Sequence, residues 1–186
     1  MDGFTREFTE TPDGLVWTVG TMLTKYFVEH QANILPGKRV LELGSGLGQL
    51  SVIFRKLGAD VTSSEHPESF ENLQRCLRDS DIEAVPLLWG VQSHCENLPP
   101  FDIIIGSEII YDEQYHQDLV DTLIYLFKRN PKAIYYNAFA DRPFSCMFFA
   151  TASDAGFNIE EIVCDYDRLG LEPERVAIHR LTLISP

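Results

Sequence analysis

The stretch Arg39-Val40-Leu41-Glu42-Leu43-Gly44-Ser45-Gly46-Leu47-Gly48 decides the fold. Its first five residues form a short apolar run that stops at a glycine, as a strand buried in a parallel sheet does. Alternate glycines then lead into Gln49 to Leu57, which has helical periodicity. Glycine lets the backbone turn sharply and approach a ligand closely, and the start of the next helix presents free N–H groups. A strand, a glycine loop and a helix in this order make a small-molecule site at a sheet edge. Taken alone, the pattern fits several ligands.

Strand and helix signals alternate on both sides of it. Upstream, Leu15 to Glu29 places Val16, Trp17, Val19, Met22, Leu23, Tyr26 and Phe27 at helical spacing, and Leu35-Pro36-Gly37-Lys38 breaks that pattern. Downstream, Asp60 to Ser64 reads extended, Pro67 to Leu77 helical with proline in its first turn, and Ala84 to Leu88 extended. Phe101 to Gly106 is the strongest strand signal. Gln114 to Phe127 then reads as a helix, Ala133 to Phe139 as a strand, and Ser145 to Ala155 as a helix closed by Gly156. Asn158 to Val163 and Val176 to Ile184 are the last strands. The expected fold class is α/β: a Rossmann-like, doubly wound, mostly parallel seven-stranded sheet with helices on both faces and a terminal antiparallel hairpin, preceded by an N-terminal helix. One domain is expected over 1–186, with a polar lead at 1–14, the N-terminal helix at 15–34 and the core at 35–186.

Composition narrows the partners. Fifteen Lys and Arg against 28 Asp and Glu give a net charge of −13 and a pI near 4.7, so phosphate neutralisation cannot hold this chain on nucleic acid without a local basic patch. The densest basic stretch, Lys128-Arg129 with Lys132, reads as solvated charge at a helix end. The start, MDGFTREFTETPDG, has no apolar run, so neither a secretory signal nor a transit peptide is expected, and no run approaches the ~20 residues of a membrane span. Cytoplasmic location is expected, with the nucleus open. Cys76, Cys95, Cys146 and Cys164 are too dispersed for a ligand cluster and read as reduced, mostly buried thiols; no metal site is expected.

In a doubly wound sheet the ligand lies beyond the carboxyl ends of the strands, so the residues that follow the strands are the candidates. The dinucleotide pattern GxGxxG would need glycine at Gln49 or at Ser51, although Ser51 is small enough to leave a nicotinamide cofactor open. Three features favour S-adenosylmethionine. Glu42 stands two residues before the first glycine, where a carboxylate suits a cationic ligand and would repel a pyrophosphate. Glu65 ends the second strand, where its carboxylate can accept both ribose hydroxyls. A helix precedes the first strand, whereas a dinucleotide domain often opens with that strand.

With VWTVGTMLTKYF, LELGSGLGQLS, VTSSEHPE, LLWG, FDIIIGSEIIYD and a Phe-Phe helix leading to AGF, the chain resembles the seven-β-strand, non-SET protein methyltransferases of the methyltransferase-like lysine methyltransferase group, from about Leu15 to Ile184. The resemblance implies that Glu42, Gly44, Gly46 and Gly48 hold the methionine end of S-adenosylmethionine and Glu65 the ribose. It implies that Trp89 lines the adenine pocket and that Trp17 packs near the methionine end. Ser107, closing the FDIIIG strand, is grouped with the cofactor-binding residues. Glu108 and Tyr111 match the acidic-x-x-aromatic motif that borders the acceptor channel, and they are the catalytic candidates. Two departures stand out: Glu65 occupies a position where many relatives have Asp, and Ser51 replaces a common glycine, which bears mainly on helix packing.

From periodicity alone Trp17 reads as a core aromatic, Trp89 divides evenly between core and pocket, and Tyr111 fits ordinary packing. Glu108 follows a buried strand and needs solvent or a partner. His66 and His116 read as surface residues without a role. The function expected is S-adenosylmethionine-dependent methyl transfer to a lysine of a protein substrate, by a monomer without nucleic acid or membrane partners, yielding S-adenosylhomocysteine. The family suggests chaperones, translation factors or calmodulin-like proteins as acceptors, and the rim is expected from Asp141 to Met147 and from the start before Trp17. An arginine, histidine or small-molecule acceptor, and a cofactor-binding module without catalysis, are the competing readings.

Overall fold

The computed structural model describes residues 14–31, 33–140, 144–162 and 176–184. In chain order the elements are α1 (Gly14–His30), β1 (Arg39–Leu43), α2 (Gln49–Lys56), β2 (Asp60–Glu65), α3 (Phe70–Cys76), β3 (Glu83–Pro86), α4 (Gln92–Glu96) and β4 (Ile103–Ser107). A 3-10 turn (Glu113–Tyr115), α5 (His116–Arg129), β5 (Ile134–Ala140), α6 (Ser145–Asp154), β6 (Phe157–Ile162) and β7 (Val176–Leu183) follow. The strands form one sheet in the order β3-β2-β1-β4-β5-β7-β6. Every pair from β3 to β5 is parallel, and β7 runs antiparallel between β5 and β6.

Burial on both faces explains the apolar runs. Ile103 and Ile105 of β4 pack with Val40, Val61 and the α1 and α2 side chains Met22, Phe27 and Phe54. Ile104 points the other way and joins Leu41, Leu43 and the α5 side chains Leu119, Leu123 and Phe127. Successive side chains of a strand face opposite sides, so an unbroken apolar strand requires helices on both. The order reverses between β1 and β4, which places the switch point beside the glycine loop.

Three local expectations are corrected. Pro67 does not open a helix: residues 67–69 form a turn closed by the Ser69 N–H to the His66 carbonyl at 2.9 Å, and α3 starts at Phe70. The helix α4 was not expected, because it has five residues and only Cys95 of them is buried, too little for a periodic signal. Among the described cysteines only Cys95 is buried; Cys76 and Cys146 are exposed on helices, and Cys164 lies outside the described residues.

Candidate functional site

The loop after β1 is built by left-handed glycines, with φ of 61° at Gly44, 56° at Gly46 and 77° at Gly48. Their reasons for being glycine differ. A Cβ on Gly44 would stand 2.8 Å from Ile109 Cγ2 and 3.4 Å from Trp89 Cζ2, and one on Gly48 would stand 2.8 Å from Leu77 of the segment after α3. On Gly46 it would meet nothing within 4 Å among the described residues, which leave space open over the middle of the loop. Serines tie this loop to β2: the Ser45 N–H donates to the Ser64 carbonyl (2.9 Å), the Ser64 N–H to Ser45 Oγ (3.1 Å), and Ser64 Oγ to the Glu42 carbonyl (2.7 Å).

Two expected carboxylates meet at this loop. Glu65, at the end of β2, accepts from the Gly46 N–H at 2.6 Å and from the His66 N–H at 2.9 Å. A ribose binding there would share or replace the Gly46 contact. Glu65→Ala is expected to weaken S-adenosylmethionine binding by roughly 1.5 to 3 kcal/mol, the worth of charge-assisted hydrogen bonds, read by titration of both proteins in one buffer. A loss within error would move the ribose contact elsewhere.

Glu42 is 3% exposed, and Ser51, wholly buried on the first turn of α2, donates its hydroxyl to the Glu42 carboxylate. Burial pushes the Glu42 carboxyl from the ordinary 4.5 up to about 7, against the lowering effect of Ser51. Between those values the unfolded chain releases this proton while the folded chain keeps it, so stability falls as pH rises through the window. The loss amounts to about 3 kcal/mol at ~1.4 kcal/mol per unit. Urea denaturation near the two ends of the window should show this slope in the wild type and a flatter one in Glu42→Gln. Parallel slopes would mean that Glu42 is ionised throughout.

Glu108 directly follows β4 and is the one non-glycine residue with positive φ (58°) among those described. It is 9% exposed; its N–H donates to the Ala138 carbonyl (2.9 Å), and its carboxylate accepts from the Ala140 N–H. Backbone held in this sparsely populated region is characteristic of functional sites. Ile109 and Ile110 then anchor the loop in the core, and Tyr111 emerges 60% exposed on the rim. Trp89 is half-buried, touching both the core on the α5 face and the Gly44 position, and Gly90 is held to α5 by its N–H to Thr122 Oγ1 at 2.8 Å. Ser107 lies across from α1, its Oγ 3.8 Å from a Cβ placed on Gly20. The Trp17 side chain, Asp141 to Pro143 and the start before α1 lie outside the described residues; Phe144, Cys146 and Met147 of the expected rim are exposed.

Two residues given no chemical role by the sequence enter the site. One is Ser51. The other is His116, which is 4% exposed rather than superficial; its Nε2 donates to the Ile110 carbonyl at 3.2 Å and so braces the loop that carries Glu108 and Tyr111. No linear signal marks either, since each contact is made only when a helix packs back on the segment before it. A polar cleft of about 200 Å³ at the opposite, amino-terminal end of the strands is lined by Arg39, Arg55, Asp60 and Glu83, among others, and lies away from all of these groups. Among the described residues, the open cradle over Gly46, the Glu65 carboxylate beside it and the buried Glu42 fit S-adenosylmethionine as a ligand.

Residues 5–154 match the lysine methyltransferase family. The chain is 31% identical over 159 residues to the histone-arginine methyltransferase METTL23 of Xenopus laevis, covering 82% of this chain and 63% of that protein. It is 30% identical over 168 residues to the protein N-terminal and lysine N-methyltransferase efm7 of Schizosaccharomyces pombe, covering 80% and 66%. The chain thus spans about three-fifths to two-thirds of the length of these relatives. The glycopeptide N-methyltransferase MtfA, solved in complex with S-adenosyl-L-methionine, shares the fold at a TM-score of 0.67 and 14% identity, over 89% of this chain and 94% of that one. By the extent of the family match and the identity to these relatives, the chain belongs to the lysine methyltransferase family.

Proposed function

We propose that the chain is an S-adenosylmethionine-dependent methyltransferase whose acceptor is a lysine of a protein substrate. The observation that carries this reading is Glu108, a buried carboxylate held in left-handed backbone at the sheet edge that bears the glycine loop. S-adenosylmethionine, when bound, supplies a methyl group on a positive sulfur, and the work left to the protein is to position groups and shape the field. A lysine ammonium has no lone pair, so it first gives its proton to solvent. Glu108 orients the amine and offsets positive charge beside it. Tyr111, standing at the rim, narrows the approach, and His116 keeps the loop in place. Glu65 and the amides of the glycine loop hold the ribose side, with Trp89 against the adenine.

A protein acceptor is supported by the names of the relatives, each a methyltransferase of proteins, and by the net charge of −13, which disfavours a nucleic acid. No helix among the described residues is long and apolar enough to cross a membrane. Action as a monomer in the cytoplasm or nucleus belongs to the same proposal. An arginine acceptor is the second reading, favoured by the name of the Xenopus relative.

The test incubates the purified chain with methyl-labelled S-adenosylmethionine and cell extract, then hydrolyses the labelled protein and identifies the modified residue. Methyl-lysine is the expected product. Methylarginine would replace the lysine assignment with the second reading, and cofactor binding without any transfer would leave a binding module.

A further inference from the structure

Ser51 sits on the third residue of α2, and both its hydroxyl and its backbone amide favour the anionic form of the Glu42 carboxylate. Among the described residues, the surroundings offer Glu42 little else. Its strand neighbour Val40, with Leu50 and Phe54 of α2 and Ile105 of β4, makes that face of the sheet apolar. The charged group acting on Glu42 among the described residues is the Glu65 carboxylate, which opposes a second negative charge; Ser45 assists weakly. Ser63, beside Glu42 in the sheet register, is wholly buried, and its hydroxyl has no hydrogen-bond partner among the described residues. A carboxylate this enclosed, held by Ser51 and with no cation among the described residues to balance it, is poised for a positive ligand.

We propose that Ser51 is a positioning residue of the cofactor site that acts through Glu42, holding one carboxylate oxygen on α2 so that the anion faces the positive methionine end of S-adenosylmethionine. The proposal rests on the reading that Glu42 lines that end of the cofactor. It makes cofactor binding a proton-releasing event: the arriving positive charge draws Glu42 into its ionised form, and the proton leaves to solvent. Affinity for S-adenosylmethionine then rises with pH. S-adenosylhomocysteine, which carries one positive charge fewer, shows a shallower rise.

The experiment is isothermal titration of wild type, Ser51→Ala, Ser51→Thr and Glu42→Gln with both compounds between about pH 6 and about pH 8, a range that brackets the Glu42 titration. Buffers of different ionisation enthalpy count the protons released, and thermal melts establish that each variant is folded. Ser51→Ala is expected to bind S-adenosylmethionine about tenfold more weakly near neutrality, as loss of a hydrogen bond to a charged group implies, with its pH rise displaced upward. Ser51→Thr, which restores the hydroxyl, should recover both properties; if its extra methyl prevents folding, the comparison of Ser51→Ala with Glu42→Gln decides alone. Wild-type affinity and pH profile in Ser51→Ala, with both lost in Glu42→Gln, would reduce Ser51 to a packing residue. Unchanged behaviour in Glu42→Gln would instead remove Glu42 from the cofactor site, and the proposal with it.

Discussion

Gly46→Val is expected to abolish S-adenosylmethionine binding in a chain that remains folded. The three loop glycines are not equivalent in what a side chain would disturb. Substitution at Gly44 drives into Ile109 and Trp89, and at Gly48 into Leu73 and Leu77, so lost binding there would be mixed with damaged packing. Around a Cβ placed on Gly46 no atom of the described residues stands within 4 Å, and the valine isopropyl group would fill the space assigned to the cofactor. Its φ of 56° adds strain for a β-branched residue, which pulls the loop away from its ligand-binding shape. The expected loss is at least ~100-fold in affinity, equivalent to about 3 kcal/mol, by calorimetric titration alongside a thermal melt. A folded Gly46→Val protein with wild-type affinity would place the cofactor elsewhere.

Glu108→Gln should lower methyl transfer by ~100-fold while cofactor affinity stays close to wild type, the pattern expected when an electrostatic positioning group acts mainly in the transition state. Glutamine is the informative replacement because its side-chain oxygen can still accept from the Ala140 N–H, so the link between the ends of β4 and β5 survives the loss of charge. Alanine removes both, leaving the Ala140 N–H without that acceptor, and should cost a further 1 to 3 kcal/mol of stability, approximately the penalty of an unpaired buried donor. Single-turnover methylation with the labelled acceptor, together with titration of cofactor, separates the two effects. A wild-type rate in Glu108→Gln would make Glu108 a clamp between strands and nothing more. Collapse of cofactor affinity in the same variant would make its role structural.

The elements that carry the site were legible because each has a local cause. A fully buried parallel strand is an apolar run, and Arg39–Leu43 and Ile103–Ser107 end where glycine or a polar residue must face the ligand edge. Glu42 and Glu65 could be placed at that edge from position in the chain alone. What sequence could not supply is set by tertiary packing. The insertion of β7 between β5 and β6 depends on pairing with a strand about 40 residues earlier, a register no local pattern encodes. Ser51 looks like a small residue on a helix, and only the close approach of α2 to β1 makes it the partner of Glu42. His116 likewise follows a polar turn, and the fold buries it against Phe148, with ring centroids 5.7 Å apart. Glu108 reads in the sequence as a carboxylate in need of a partner, and the fold brings the backbone of β5 to it.

Placement of the cofactor over the glycine loop is the claim on which the remaining assignments depend, and a crystal structure of the complex with S-adenosylhomocysteine tests it most directly. The predicted result has the ribose hydroxyls on the Glu65 carboxylate, the adenine against Trp89, and the methionine end above Gly46 toward Glu42, with its sulfur facing Glu108. Density for the ligand at any other edge of the sheet, or a ribose out of reach of Glu65, would contradict it.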